Sequence, residues 1–134
     1  MNVFYRALCR VYQFCFHLTL PVLPYRQPQR LANLDEIPAL LRGLGVGSAL
    51  LVTDQGLRTT GITAGLEARL AENGIRCAVY DGTCANPTVE NVEQARALYE
   101  KEQCGCLIAF GGGSPMDCAK AVGARIAYPH RSDN

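Results

Sequence analysis

Three short stretches of this sequence hold residues suited to gripping a charged or polar ligand. The first is Gly111-Gly112-Gly113-Ser114-Pro115-Met116-Asp117. Glycines between a strand and a helix let the backbone come close to an anion, and the helix start adds free N–H donors and the positive end of its dipole. A diphosphate suits such a turn. Neither common phosphate fingerprint is met: G-x-G-x-x-G would need glycine where Met116 stands, and G-x-x-x-x-G-K-[ST] is absent. A purely structural reading makes Ser114 and Asp117 an S-x-x-D capping box, with Pro115 at the first helical position. That reading explains those residues but not three consecutive glycines, each of which costs backbone entropy on folding.

The second stretch is Leu51-Val52-Thr53-Asp54. A carboxylate at the end of a strand can accept both hydroxyls of an adenosine ribose and repel a 2′-phosphate. Asp54 also opens the turn Asp54-Gln55-Gly56, an ordinary place for aspartate. The third is Asn86-Pro87-Thr88, where Asn86 can hydrogen-bond a cofactor and Thr88 can equally cap a helix. Metal chemistry finds little support. The seven cysteines (9, 15, 77, 84, 104, 106 and 118) include C-x-C at Cys104 and Cys106, not C-x-x-C, and His17 and His130 have no neighbour at ligand spacing. The cysteines read as buried, reduced thiols of a cytoplasmic protein.

The elements that position these stretches follow from the hydrophobic pattern. Asp35 can cap a helix through Arg42, with Pro38 in its first turn. Ser48 to Asp54, Ile75 to Asp81 and Cys106 to Phe110 are continuous apolar runs of strand length. Between them the pattern predicts a helix capped by Thr59 or Thr60, with Ile62, Leu66 and Leu70 on one face and a stop at Asn73-Gly74. A further helix spans about Val89 to Gln103, with Val92, Ala95, Leu98 and Tyr99 inward. Another runs from Ser114 to about Ala127. Strands without alternation, each separated by a helix, imply a parallel sheet covered on both faces, a doubly wound α/β unit.

Thirteen Lys and Arg against twelve Asp and Glu in 134 residues give a net charge of +1, which lacks the electrostatic footprint of a nucleic-acid binder. No apolar run reaches the roughly 20 residues of a membrane-spanning helix. Residues 1–25 combine Arg6 and Arg10 with the apolar run Phe14 to Pro24, in the manner of a signal peptide. His17 interrupts that run, however, and no small-residue cleavage site follows. The preferred reading is an amphipathic helix with Phe4, Leu8, Val11, Cys15 and Leu18 on one stripe, packed on its own chain or serving as an oligomer contact.

Taken in order, Leu51-Val52-Thr53-Asp54, Tyr80-Asp81-Gly82, Asn86-Pro87-Thr88 and the run Gly111 to Ala121 resemble the iron-containing alcohol dehydrogenase family. The G-G-G-S-x-x-D-x-A-K signature is shared with the glycerol dehydrogenase and dehydroquinate synthase relatives. Serine after the glycines, together with the N-P-T loop, favours the alcohol dehydrogenases. The resemblance implies a Rossmann-like NAD-binding domain over residues 34–127, preceded by a helix and linker at 1–33 and followed by a polar tail at 128–134. It implies that Asp54 meets the adenosine ribose, that Gly111, Gly112, Gly113 and Ser114 hold the pyrophosphate, and that Asn86 lies near the cofactor. The family's divalent metal, iron or zinc, is held in a helical C-terminal domain without counterpart in residues 1–134, which leaves the sheet incomplete and this stretch without catalytic or metal-binding residues. The implied activity is hydride transfer between an alcohol or aldehyde and nicotinamide by a longer protein, with residues 1–134 alone inactive. The alternatives are a polyol dehydrogenase of the same fold, or a nucleotide-binding or subunit-interaction module without catalysis.

Overall fold

The computed structural model describes residues 3–19 and 28–128, with side chains over 8–18 and 28–128. The chain divides into two compact units, Met1–Arg30 and Leu31–Asn134. The first contains one helix, α1 (Val3–Thr19), whose described side chains, residues 8–18, are all exposed. The expectations placed on residues 20–27, on His130 and on the polar tail beyond Tyr128 lie outside the described residues.

The second unit has the order α2 (Glu36–Gly43), β1 (Ser48–Val52), α3 (Gln55–Thr59), α4 (Ala64–Glu72), β2 (Arg76–Tyr80), α5 (Val89–Lys101), β3 (Cys106–Ala109) and α6 (Gly113–Ala127). The three strands are parallel in the order β2-β1-β3, with Ala49 level with Cys77 on one side and Cys106 on the other. This is the doubly wound α/β arrangement that the continuous apolar strands require. Every residue of β1 is buried, because that strand has a neighbour on each edge and helices on each face. Alternate side chains divide between two cores. Leu50 and Val52 pack with Val92, Ala95, Cys118 and Val122 of α5 and α6, whereas Leu51 packs with Leu41, Leu66 and Leu70 of α2 and α4. Glu93 joins α5 to α6, accepting from Arg125 and Arg96 at 2.8 Å each. Those bonds, Arg125 foremost, hold its carboxyl below the usual carboxylate range.

Several local expectations need correction. The segment after β1 is two helices, not one capped at Thr59 or Thr60. Asp54 caps α3, the chain turns at Gly61 with φ +74°, and α4 starts at Ala64. The hydroxyls of Thr59 and Thr60 instead donate back to Gly56 O and Leu57 O. Ile62 falls on the break and is 56% exposed, while Leu66 and Leu70 are fully buried as their spacing requires. Asp35 makes no cap hydrogen bond, because its carboxylate is taken by the Arg69 guanidinium. All seven cysteines are free, but only Cys104 and Cys118 are buried; Cys9, Cys15 and Cys84 are exposed.

Candidate binding site at the carboxyl edge of the sheet

Because the strands are parallel, the loops after β1, β2 and β3 emerge from one edge. Backbone bonds carry the sheet just past the strand ends: Thr53 N donates to Tyr80 O at 2.8 Å, and Phe110 N to Val52 O at 2.9 Å. The chain leaves β1 toward the α4 face and β3 toward the α6 face. The carboxyl ends of β1 and β3 therefore flank the topological switch point, where open α/β sheets form a crevice. Asp54 stands on one side of it and Gly111 to Ser114 on the other.

The glycine turn separates into two kinds of position. At Gly111, φ is +143° and an added Cβ would lie 2.8 Å from Leu57 Cδ1 and 2.9 Å from Pro115 Cγ. Close packing between the turn, α3 and α6 therefore requires glycine there. At Gly112 and Gly113 an added Cβ would meet nothing within 4 Å. Their lack of a side chain serves no contact within the protein, and it leaves the backbone open to an approaching group. The expected Ser114–Asp117 capping box does not form. Gly112 occupies the cap position in an extended conformation, no side chain caps α6, and the helix starts at Gly113. Asp117 instead sits 3.6 Å from Lys120 on the exposed helix surface. The Gly113 and Ser114 amides thus lack intrahelical acceptors, and the first turn of α6 has no acidic residue to offset its positive end. Free amides at an uncapped helix start can receive an anion.

Asp54 is half-buried, and its Oδ1 accepts from Leu57 N at 2.9 Å. The structural reading of this aspartate as a turn residue is correct. It uses one carboxylate oxygen, and the second has no partner among the described residues. Beside it, Thr53 is fully buried and its hydroxyl has no hydrogen-bond partner, an orphaned polar group at the strand end that costs desolvation. Asn86 lies in the loop after β2, on the far side of β1 from the switch point. It is exposed with φ +57°, a backbone region that asparagine tolerates better than most residues. Its side chain makes no hydrogen bond among the described residues. The structure thus places Asp54 and Gly111 to Ser114 at the carboxyl ends of neighbouring strands β1 and β3 and sets Asn86 apart beyond β1.

The residue that shapes the third loop is one the sequence reading passed over. Asn91 Oδ1 accepts from Thr88 N at 3.3 Å and from the Cys84 thiol. Its Nδ2 donates to Gly82 O at 3.2 Å and to Tyr80 Oη at 3.3 Å. Thr88 returns the bond by accepting from Asn91 N, so a capping box closes at the start of α5. The T-x-x-N spacing was the available signal. The Tyr80 hydroxyl then donates to Gln94 Oε1, and burial pushes its pKa up, opposed by the Asn91 bond. Cys118, under the glycine turn, also has its thiol pKa pushed up by burial, opposed by contact with the Thr83 hydroxyl.

Residues 28–134 match the family model for iron-containing alcohol dehydrogenases. The chain belongs to that family. A 1,3-propanediol dehydrogenase of Klebsiella pneumoniae is 38% identical over 120 residues, covering 88% of this chain and 30% of the relative. The crystal structure of a 1,3-propanediol oxidoreductase superposes with a TM-score of 0.66 at 40% identity, over 75% of this chain and 26% of that one. A sulfoacetaldehyde reductase from Bifidobacterium kashiwanohense, solved in complex with NAD+, superposes with a TM-score of 0.65 at 26% identity, over 73% of this chain and 27% of its own. The chain thus spans under a third of the length of these relatives. As an iron-containing alcohol dehydrogenase homologue, this chain shares their α/β sheet. Among its described residues, no group of three or more His, Cys, Asp or Glu can hold a metal ion.

Proposed function

We propose that residues 34–127 are the nucleotide-binding portion of an NAD-dependent, metal-dependent alcohol dehydrogenase that passes hydride between an alcohol or aldehyde and nicotinamide. The observation that carries this reading is the open backbone at Gly112 and Gly113, set beside the unpartnered amides of α6 at the switch point. A pyrophosphate there would be held by Gly112, Gly113 and Ser114 against the positive helix end, with Gly111 fixing the turn. The second oxygen of Asp54 would take the adenosine ribose hydroxyls and disfavour a 2′-phosphate, and Asn86, set apart beyond β1, would meet the cofactor only where it extends past the switch point. NAD, when bound, supplies the hydride acceptor. The described residues do not fit a metal ion. No step is therefore assigned to one within this stretch, and residues 1–134 by themselves bind nucleotide without oxidising alcohol. Residues 1–33 form a separate helix and linker in this reading, and the thiols, all free, suit a cytoplasmic setting.

The test is a calorimetric titration of the chain with NAD+ and NADP+, repeated on Asp54→Asn. Asparagine caps as well as aspartate, so melting should be unchanged while the negative charge is lost. The parent should prefer NAD+, and the variant should lose roughly tenfold of that preference, the worth of one charge-assisted contact. Equal affinity of the parent for both nucleotides, or a preference that Asp54→Asn leaves unmoved, would sink the assignment of Asp54.

A further inference from the structure

Helix α1 is unlike the rest of the molecule in both charge and exposure. Of the thirteen Lys and Arg, four (Arg6, Arg10, Arg26 and Arg30) stand in residues 1–34, which contain no Asp or Glu. The other nine share residues 35–134 with all twelve acids, so the first part is strongly basic and the second mildly acidic. At 3.6 residues per turn, positions 6, 10, 13 and 17 fall within an arc of roughly 60°, giving a stripe of Arg, Arg, Gln and His. Opposite that stripe, Leu8, Val11, Tyr12, Phe14 and Leu18 span an arc of roughly 160°. These five side chains are between 57% and 72% exposed. Scattered single apolar residues on a surface need no explanation, but a contiguous face of this breadth marks an interaction surface.

We propose that α1 docks in the plane of an anionic lipid surface, its apolar face in the acyl boundary and its arginine stripe among the headgroups. Three observations favour lipid over a second copy of this helix. The apolar arc is wider than the a/d seam of a helix pair, whereas a bilayer interface envelops a broad face. A second copy of α1 carries no acidic residue to meet Arg6 and Arg10, so pairing would set like charges together. An anionic headgroup layer complements the stripe, each arginine near it adding about 1 kcal/mol of attraction. As described, α1 has 17 residues, and no described helix is long and apolar enough to cross a membrane.

The experiment is flotation of the 134-residue chain with vesicles of equal parts phosphatidylcholine and phosphatidylglycerol, against vesicles of phosphatidylcholine alone, at low and high salt. Expected is binding to the mixed vesicles that salt weakens and that the double variant Arg6→Gln/Arg10→Gln reduces roughly 10- to 30-fold. Phe14→Glu should abolish it. A thermal melt of each variant, expected to match the parent's, shows that the α/β sheet is intact. Equal binding to neutral vesicles, or binding indifferent to the two arginines, would overturn the proposal. So would an absence of binding, most tellingly with a concentration-dependent dimer in sedimentation that Phe14→Glu dissolves, since that would make the face a contact between copies.

Discussion

Replacing Gly111 and Gly112 one at a time by alanine separates what the glycine turn does for the fold from what it does for a ligand. At Gly111 an alanine must hold φ at +143° and place its Cβ 2.8 Å from Leu57 Cδ1 and 2.9 Å from Pro115 Cγ. The dihedral costs about 1–3 kcal/mol. Leu57 can swing its terminal methyl aside, but Pro115 is buried and its ring is fixed to the backbone, so overpacking adds about 1–3 kcal/mol more. The sum is about 2–6 kcal/mol, a large part of the roughly 5–15 kcal/mol that holds a domain together. In a thermal melt followed by circular dichroism without nucleotide, Gly111→Ala should melt roughly 8–24 °C below the parent. At Gly112 the backbone has φ −79°, and nothing lies within 4 Å of the added methyl. Gly112→Ala should therefore melt within a few degrees of the parent, since alanine lowers the entropy of the unfolded chain by about 0.4–1 kcal/mol but caps α6 less well than glycine by a similar amount. Its methyl would nevertheless occupy the space beside the α6 amides, and NAD+ affinity should fall at least roughly tenfold. A Gly111→Ala protein melting within about 2 °C of the parent would refute the steric reasoning. Unchanged NAD+ affinity in Gly112→Ala would refute the cradle.

Leu51 is fully buried at the centre of the central strand, so Leu51→Ala should lower the free energy of unfolding in urea by about 2–5 kcal/mol with little change in slope. Asn91→Ala removes the partner of Thr88, Gly82, Tyr80 and Cys84 at once, and should cost about 1–3 kcal/mol and speed amide exchange in the loop between β2 and α5. The Cys77 thiol, desolvated between the sheet and α4 and facing Glu67, has its pKa pushed up from 9.0 to about 11. The folded state therefore holds this proton where the unfolded state releases it, and stability should fall as pH rises from about 9 toward about 11. Cys77→Ala should flatten that part of a urea-midpoint profile, and a profile unaffected by the substitution would refute the account.

The strands were legible because each is a short apolar run with no turn residue inside it, and such runs have few places to go except a sheet buried on both faces. The stop at Asn73-Gly74 and the Thr88 cap were legible because their chemistry is local. Where sequence reading erred, a competitor stood close by. Asp54 and Thr59 are both good caps five residues apart, and the periodic spacing of Ile62, Leu66 and Leu70 concealed the turn at Gly61 that puts Ile62 in solvent. Asp35 had the right type and position to cap α2, but Arg69, far along the chain, offered its carboxylate a charged partner. Ser114 lost its expected role by two residues, because Gly112 takes the cap and places Ser114 inside the first turn. Asn91 could not be read as a hub from T-x-x-N alone, since Tyr80 and Gly82 reach it only through the packing of α5 on the sheet.

At the carboxyl edge of the sheet, the observed structural roles and the proposed binding roles fall on different atoms of the same few residues. One oxygen of Asp54 caps α3, and the other is left over. Gly111 is glycine for the sake of Leu57 and Pro115, whereas Gly112 and Gly113 touch nothing that would need them to be. Taken residue by residue, a cap and a ligand exclude each other, and for Asp54 alone the turn role then outweighs the ribose. Atoms remove the conflict. The cap holds α3 so that Leu57 closes on Gly111, and that contact fixes where the glycine turn leaves β3 and where the amides of α6 point. The part of Asp54 spent on folding is thus what positions the part of the turn left open for an anion, and the two readings describe one device.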